Sequence, residues 1–308
     1  MSVAVELPAW TAQAPLQLMH LPWAQAAGIE LAVLRLDLLD PLISGNKWFK
    51  LLDHLRAAQA QGAAGVISLG GAHSNHLHAL AAAGQRFNFA TVGLLRGHAQ
   101  LTPTVTDLQA MGMQLHWLGY AGYRERHAAD FWTPWLQRYS GFYPMPEGGG
   151  GLPGALGCGQ ITRLLREQVA DLGWDDYHGV WLACGTGTTL AGLLLAEAGA
   201  HALYGVTAVP MDYGVASQIE QILHAAGQPP TDYQLFDGSR GGFAKVDAEL
   251  LAFMAECETH SGVPLEPLYT GKALLQLREQ VQAGYFAQGT RLVFIHTGGL
   301  QGRRGLAL

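Results

Sequence analysis

Charge is scarce in this chain: only 14% of its 308 residues are Asp, Glu, Lys or Arg. Basic residues do not cluster outside Arg303-Arg304, and 18 of them face 24 acidic ones for a net charge of −6. Nucleic acid is thereby disfavoured as a partner, because phosphate backbones need a concentrated basic face. Cysteine is nearly absent. Cys158, Cys184 and Cys257 are odd in number and far apart, which excludes a disulfide framework and a CxxC metal pair and fits a reducing cytosol. No apolar run approaches the ~20 residues of a membrane span, and the N-terminus lacks the charged-then-apolar pattern of a secretory signal. The expectation is a soluble, cytoplasmic protein with no membrane partner.

What the chain has is apolar bulk and glycine. The hydrophobic fraction is 49%, and many of the 40 glycines fall just after apolar runs, the habit of an α/β enzyme. From residue 63 the pattern alternates. Strands are expected at Ala64–Leu69, Ala90–Leu95 and Met113–Leu118, with helices at Ser74–Arg86, Thr102–Met111 and Gly122–Arg138. Repeated βα units predict a parallel sheet with crossover helices. The segment Pro144–Gly154 is the strongest break. Beyond it a long helix is expected at Ala155–Leu172, then strands at His178–Ala183, Ala202–Val209 and Arg291–His296. Further helices are expected at Leu190–Ala198, Tyr213–Ala226, Val246–Ser261 and Gly271–Ala283. The break divides the chain into a large domain, 1–48 with 155–308, and a smaller α/β domain, 49–154, which closes over a ligand.

Three turns carry the chemistry. The first, Ser44-Gly45-Asn46-Lys47, opens a helix-like stretch in which Lys50 follows Lys47 by one turn and shares its face. A lone lysine after such a turn is usually a solvated surface residue. A second cation beside it, with partial burial, lowers its pKa and makes it nucleophilic. The second turn, Gly185-Thr186-Gly187-Thr188-Thr189, lies between an apolar strand and a helix, where bare N–H groups and the helix dipole suit a phosphate; the plain alternative is an ordinary strand–helix turn. Leu190 replaces the third glycine of a dinucleotide fingerprint, and Gly199–Pro210 contains no acid for a ribose. Gly271-Lys272 is followed by Ala273, so a P-loop fails as well.

The third turn, Gly70-Gly71-Ala72-His73-Ser74-Asn75-His76, follows a strand and opens a helix. Ser74 is either an N-cap alone or an N-cap whose turn also holds a carboxylate. The spacing of His73, His76 and His78 does not fit a metal site, and no acidic or thiol ligand accompanies them. A serine-hydrolase elbow fails for want of G-x-S-x-G. Tyr269 is a core tyrosine or a proton donor, and His296-Thr297-Gly298-Gly299 ends a strand where ligand crevices form. A nucleophilic lysine, a second cation and an anion cradle together point to a phosphorylated aldehyde cofactor, pyridoxal 5′-phosphate.

In their order, SGNKxxK, GGxHSNH, GTGTTxAG, YTGKA and HTGG, spread over residues 44–299, the chain resembles the D-cysteine desulfhydrase / 1-aminocyclopropane-1-carboxylate (ACC) deaminase family. These are pyridoxal-phosphate enzymes of fold type II, the tryptophan-synthase β-like fold. The resemblance implies an α/β fold with two open, twisted, mostly parallel sheets flanked by helices, a homodimer, and a small amino acid as substrate. It implies that Lys47 bonds the cofactor and later moves protons. Lys50, Gly185, Thr186, Gly187, Thr188 and Thr189 would hold the phosphate, and Asn75 the phenolic oxygen. Thr270 would meet the pyridine nitrogen, and Thr297 and Gly298 would also touch the cofactor. Ser74, Asn75, His76, Tyr269 and Phe243 would face the substrate, with Ser74 and Tyr269 as further catalytic groups.

The same resemblance points to α,β-elimination of D-cysteine to pyruvate, ammonia and sulfide. ACC deaminases carry YEGK, whose carboxylate deepens the electron sink; the hydroxyl of Thr270 suits elimination of a good leaving group. The alternatives are ACC ring opening, elimination from another β-substituted amino acid, and a non-catalytic pyridoxal-phosphate binder. The chain departs from the family at Gly241-Gly242-Phe243, where a second tyrosine is expected, at Gly148–Gly151, where Gly-Gly-Ser-Asn is common, and at Gly157-Cys158, where Gly-Tyr is expected.

Overall fold

The computed structural model describes residues 4–7, 12–229 and 231–305; the outer limits of the expected large domain, residues 1 and 308, lie outside them. Among the described residues ten strands form: β1 (Leu16–Leu18), β2 (Glu30–Arg35), β3 (Gly65–Gly70), β4 (Ala90–Leu95), β5 (Gln114–Trp117), β6 (Phe142–Pro144), β7 (Gly179–Cys184), β8 (Ala202–Thr207), β9 (Gln234–Asp237) and β10 (Arg291–His296). They build a six-stranded sheet in the order β1-β2-β10-β7-β8-β9 and a four-stranded sheet in the order β5-β4-β3-β6. Every pairing is parallel except β1 with β2. The fold is α/β, with the two mostly parallel sheets that the resemblance implies.

Strands buried on both faces read as near-continuous apolar runs. In β10, Val293 and Ile295 join the core that runs through both sheets, while Leu292 and Phe294 join a second core under the helices Ala248–Ser261 and Thr270–Gln282. In β3, Val66 enters the shared core, and Ile67 and Leu69 enter a third against Tyr123 and Phe131.

Both sheets reverse their winding once. The chain lays β7, β8 and β9 outward and then returns to place β10 on the other side of β7; likewise β3, β4 and β5 run outward and β6 returns beside β3. Such reversal points open a crevice at the carboxyl ends of the strands. The loops after β7, β10, β3 and β6 all meet at one cavity.

Two expected helices are divided. Gly122–Arg138 becomes Gly119–Arg124, a 3₁₀ turn at Glu125–His127 and Thr133–Arg138. Ala128 is extended and Pro134 sits in the first turn of the last piece, where its missing N–H is harmless. Ala155–Leu172 becomes Gly151–Cys158, Gln160–Arg166 and a 3₁₀ turn, with the first helix starting inside the glycine-rich break. Close packing explains this. A Cβ at Gly157 would lie 2.1 Å from the Phe49 carbonyl, and one at Gly192 would lie 2.2 Å from the Ala155 carbonyl. The glycines therefore let the helix Gly151–Cys158 press between Lys47–Ala60 and Thr188–Glu197. β1, β2, β6 and β9 are additional to the strands expected from the sequence. Among the described residues no helix is long and apolar enough to cross a membrane.

Candidate active site

The cavity between the sheets holds about 500 Å³, within the ordinary range of small-molecule sites. Lys47 opens the helix Lys47–Ala60, and Lys50 follows one turn later on the same wall. The entry to this helix is fixed by backbone: Asn46 N–H donates to the Thr297 carbonyl at 3.1 Å, and Gly45 has φ +76° with room for no side chain beside that carbonyl. Asn46 also donates to Thr189 Oγ1 at 2.9 Å. Burial pushes the Lys47 pKa well below its ordinary value, and the Lys50 charge pushes it further. Lys50 is lowered too, chiefly by burial, but its hydrogen bond to Lys47 works the other way. Of the two, Lys47 is therefore the one that gives up its proton more readily.

Opposite lies Gly185-Thr186-Gly187. The helix Thr188–Glu197 starts at Gly187, φ +74°, and no side chain caps it, so its first N–H groups are left for an anion. Lys50 Nζ reaches Thr186 Oγ1 at 3.4 Å, and Thr186 and Thr188 share a hydrogen bond of 2.9 Å. A Cβ at Gly185 would stand 3.2 Å from Tyr269 Cε1, so a side chain there would crowd the tyrosine. A cation, an uncapped helix end and clustered hydroxyls are a phosphate donor set, and the adjacent Lys47 amine suits an aldehyde. The residues present fit pyridoxal phosphate.

The four-stranded sheet supplies the facing wall. Ser74 caps the helix Asn75–Phe87 by accepting from Leu77 N–H at 3.2 Å, which leaves its own proton free to donate. Gln301 donates to Asn75 Oδ1 at 3.0 Å, so Asn75 Nδ2 is the group left for a ligand oxygen. His76 is buried and kept neutral, mainly by desolvation and then by Lys47.

The cavity gathers Lys47, Lys50, Ser74, Asn75, His76, Gly185, Thr186, Gly187, Thr189, Phe243, Tyr269, Thr297 and Gly298. Thr188 and Thr270 stand behind the lining. The Thr270 hydroxyl is fully buried and turned to Glu266, 3.2 Å from Oε1, while accepting Glu266 N–H at 2.9 Å. Glu266 lines the cavity instead; burial pushes its carboxyl pKa up against three backbone N–H groups, of Leu268, Tyr269 and Thr270. Sequence reasoning passed over it, although an acid just ahead of a helix start is a capping signal.

Also passed over were Arg96 and Glu147 at the rim, the latter held by Tyr123 at 2.6 Å and Arg126 at 2.7 Å. A buried group of Arg35, Asp37 and His296 lies beneath the Thr297 turn, with His296 Nε2 2.7 Å from the Pro264 carbonyl. Burial pushes the Cys158 thiol up to about 11 and the Cys184 thiol to about 12, so neither is a thiolate at neutral pH. No group of three metal-ligating side chains occurs among the described residues.

The model of pyridoxal-phosphate dependent enzymes matches residues 10–298. The chain belongs to this family. The likeness extends to proteins of one branch. It is 28% identical, over 89% of its length and 73% of the relative's, to the bifunctional D-cysteine desulfhydrase/1-aminocyclopropane-1-carboxylate deaminase of Arabidopsis thaliana, a mitochondrial protein. It is 28% identical, over 88% and 87%, to the D-cysteine desulfhydrase of Serratia proteamaculans. The solved structure of an ACC deaminase homologue superposes with a TM-score of 0.82 at 27% identity, covering 98% of this chain and 93% of that one. The protein is a pyridoxal-phosphate dependent enzyme whose relatives include ACC deaminases and D-cysteine desulfhydrases.

Proposed function

We propose that this enzyme removes a β-substituent from a small amino acid, with D-cysteine giving pyruvate, ammonia and sulfide. The observation that carries the reading is that both cavity-lining carboxylates are committed elsewhere. Glu147 is held by Tyr123 and Arg126, and Glu266 by three backbone N–H groups. Neither is available to deepen the electron sink, whereas the Thr297 hydroxyl residue lies in the wall at the end of β10. That arrangement suits elimination, in which a good leaving group carries the charge away.

When bound, pyridoxal phosphate supplies the electron sink for charge left on Cα. Lys50, Thr186, Thr189 and the Gly185–Gly187 backbone hold its phosphate, with Thr188 bracing Thr186 from behind. Lys47 would hold its aldehyde end, and a depressed pKa would keep the lysine amine able to take the proton from the substrate Cα. Asn75 Nδ2 would be the donor toward its phenolic oxygen. Ser74 Oγ and the helix end behind it hold the substrate carboxylate. Tyr269 bounds the side chain, and burial keeps its hydroxyl protonated. Closure of residues 49–154 excludes water, and a cytoplasmic homodimer belongs to the same reading, the dimer being tested by sedimentation.

The second reading is ACC ring opening, favoured by the likeness to the solved ACC deaminase homologue. The deciding assay loads the purified protein with pyridoxal phosphate and follows 2-oxo acid and sulfide from D-cysteine, L-cysteine and ACC. Turnover of D-cysteine alone is expected; turnover of ACC with none of D-cysteine overturns the first reading in favour of the second.

A further inference from the structure

Lys272 is 2% exposed and takes no part in lining the main cavity. An ammonium carries three donors and no acceptor. Here each meets a main-chain carbonyl: Ser239 at 3.0 Å, Gly242 at 3.1 Å and Phe243 at 3.0 Å. All three belong to one irregular loop between β9 and the helix Ala248–Ser261. That loop brings Phe243 to the cavity, where its ring meets Tyr269 edge-on with centroids 5.5 Å apart. Tyr269 itself immediately precedes the helix that bears Lys272. One buried charge therefore ties the strap carrying the first aromatic to the helix carrying the second.

We propose that Lys272 is a positioning residue for substrate selection: by gathering the Ser239, Gly242 and Phe243 carbonyls it holds the Phe243–Tyr269 pair as a fixed wall against the substrate side chain. The inference rests on the reading that this pair faces an amino acid. It requires nothing of Lys272 toward the cofactor. On its outer side the lysine borders a second cavity of about 420 Å³, lined also by Asp237, Arg240, Asp247 and Glu279, through which a small amine can enter.

The test uses the holoenzyme and two replacements. Lys272→Met keeps the length and removes the donors; Lys272→Ala leaves space that n-propylammonium fills. In Lys272→Met, cofactor absorbance is expected to match the wild type, and KM for the turned-over amino acid to rise about tenfold or more, the scale of lost charged hydrogen bonds. The change in kcat is expected to be smaller. Backbone hydrogen exchange should quicken in 239–243 but not in 44–50. Propylammonium should restore both readouts in Lys272→Ala, which serves in place of the methionine variant if that one does not fold. In a Phe243→Ala background the Lys272→Met effect on KM should vanish. Unchanged exchange in 239–243, exchange that rises equally across the chain, or an effect on KM that persists without Phe243 overturns the proposal. Exchange needs no turnover, so its result stands apart from failure of the elimination reading.

Discussion

Ser68 Oγ lies 2.8 Å from His76 Nε2 and gives its own proton to the Met145 carbonyl at 2.9 Å, so the histidine must carry its hydrogen on Nε2. Its Nδ1 is left as a bare acceptor without a partner among the described residues. The ring is neutral because desolvation, then Lys47, pushes its pKa well below 6.5. His54 and His296 are lowered as well, again chiefly by burial. The sign follows from linkage. These histidines take up protons on unfolding once the pH falls below their unfolded pKa of about 6.5, so stability is complete above that pH and declines below it. Each contributes at most about 1.4 kcal/mol per pH unit. Urea midpoints should fall between pH 7.5 and 5.5, less steeply in His54→Gln. Imidazole ¹⁵N shifts should show His76 as the neutral Nε2–H form at pH 6. A protonated His76 at that pH contradicts the assignment, and Ser68→Ala should release the tautomer at a cost of about 1 kcal/mol.

Gly45 and Thr297 share one close contact that sets the reactive lysine. A Cβ at Gly45 would stand 2.1 Å from the Thr297 carbonyl oxygen, on a residue with φ +76°. Gly62 also has positive φ, +61°, but open space around it. The pair separates conformational strain from collision. Gly62→Ala is expected to cost about 1 kcal/mol, the strain of a left-handed alanine. Gly45→Ala should cost at least about 3 kcal/mol, because backbone on two elements must also give way, and should weaken cofactor retention by displacing Lys47. Equal unfolding midpoints for the two variants count against the contact.

Local chemistry was legible where it is decided locally. The Ser74 cap and β4 and β10 follow from their own residues, and the ordered motifs of one family bring the lysine pair and the glycine-threonine turn together. The rest was decided at a distance. Nothing in Gly151-Leu152-Pro153-Gly154 alone announces a helix; it forms because two neighbouring backbones come so close that only glycine fits. The orientation of Thr270 was invisible for a like reason: its hydroxyl turns away from the cavity because Glu266, four residues earlier, folds back to cap the same helix. β1 and β9 are edge strands of three and four residues, too short to show a period.

Lys50 has two separable effects on Lys47. Burial is the larger cause of the depressed Lys47 pKa, and the Lys50 charge is the next. Lys50→Met removes a cation from the phosphate cradle and also relieves that repulsion. Cofactor affinity should fall about 10- to 100-fold, the scale of a lost charge-assisted hydrogen bond. In the cofactor-free protein the pH midpoint of the Lys47 amine, followed through its rate of acylation, should move upward while remaining below that of a free lysine. Lys50→Arg keeps the charge and should preserve the midpoint even where affinity drops. A midpoint that moves down in Lys50→Met contradicts this account.

Phe243 is 42% exposed and meets Tyr269 edge-on, so its ring is only partly packed and a para-hydroxyl there is a small change. It would restore the second tyrosine that the family resemblance leads one to expect at this position. The two candidate reactions need that group unequally. Elimination from D-cysteine expels sulfide and asks for no acid at the far end of the substrate. Opening ACC breaks a carbon–carbon bond, and the carbon released must receive a proton. A well-placed proton donor contributes about 10²- to 10⁴-fold to such a step. Phe243→Tyr is therefore expected to raise ACC turnover at least about tenfold over the wild type, while D-cysteine turnover changes less than about threefold. Wild-type protein that already opens ACC as fast as Phe243→Tyr would show that this position does not separate the two activities, and would move the missing proton to Tyr269 or Ser74.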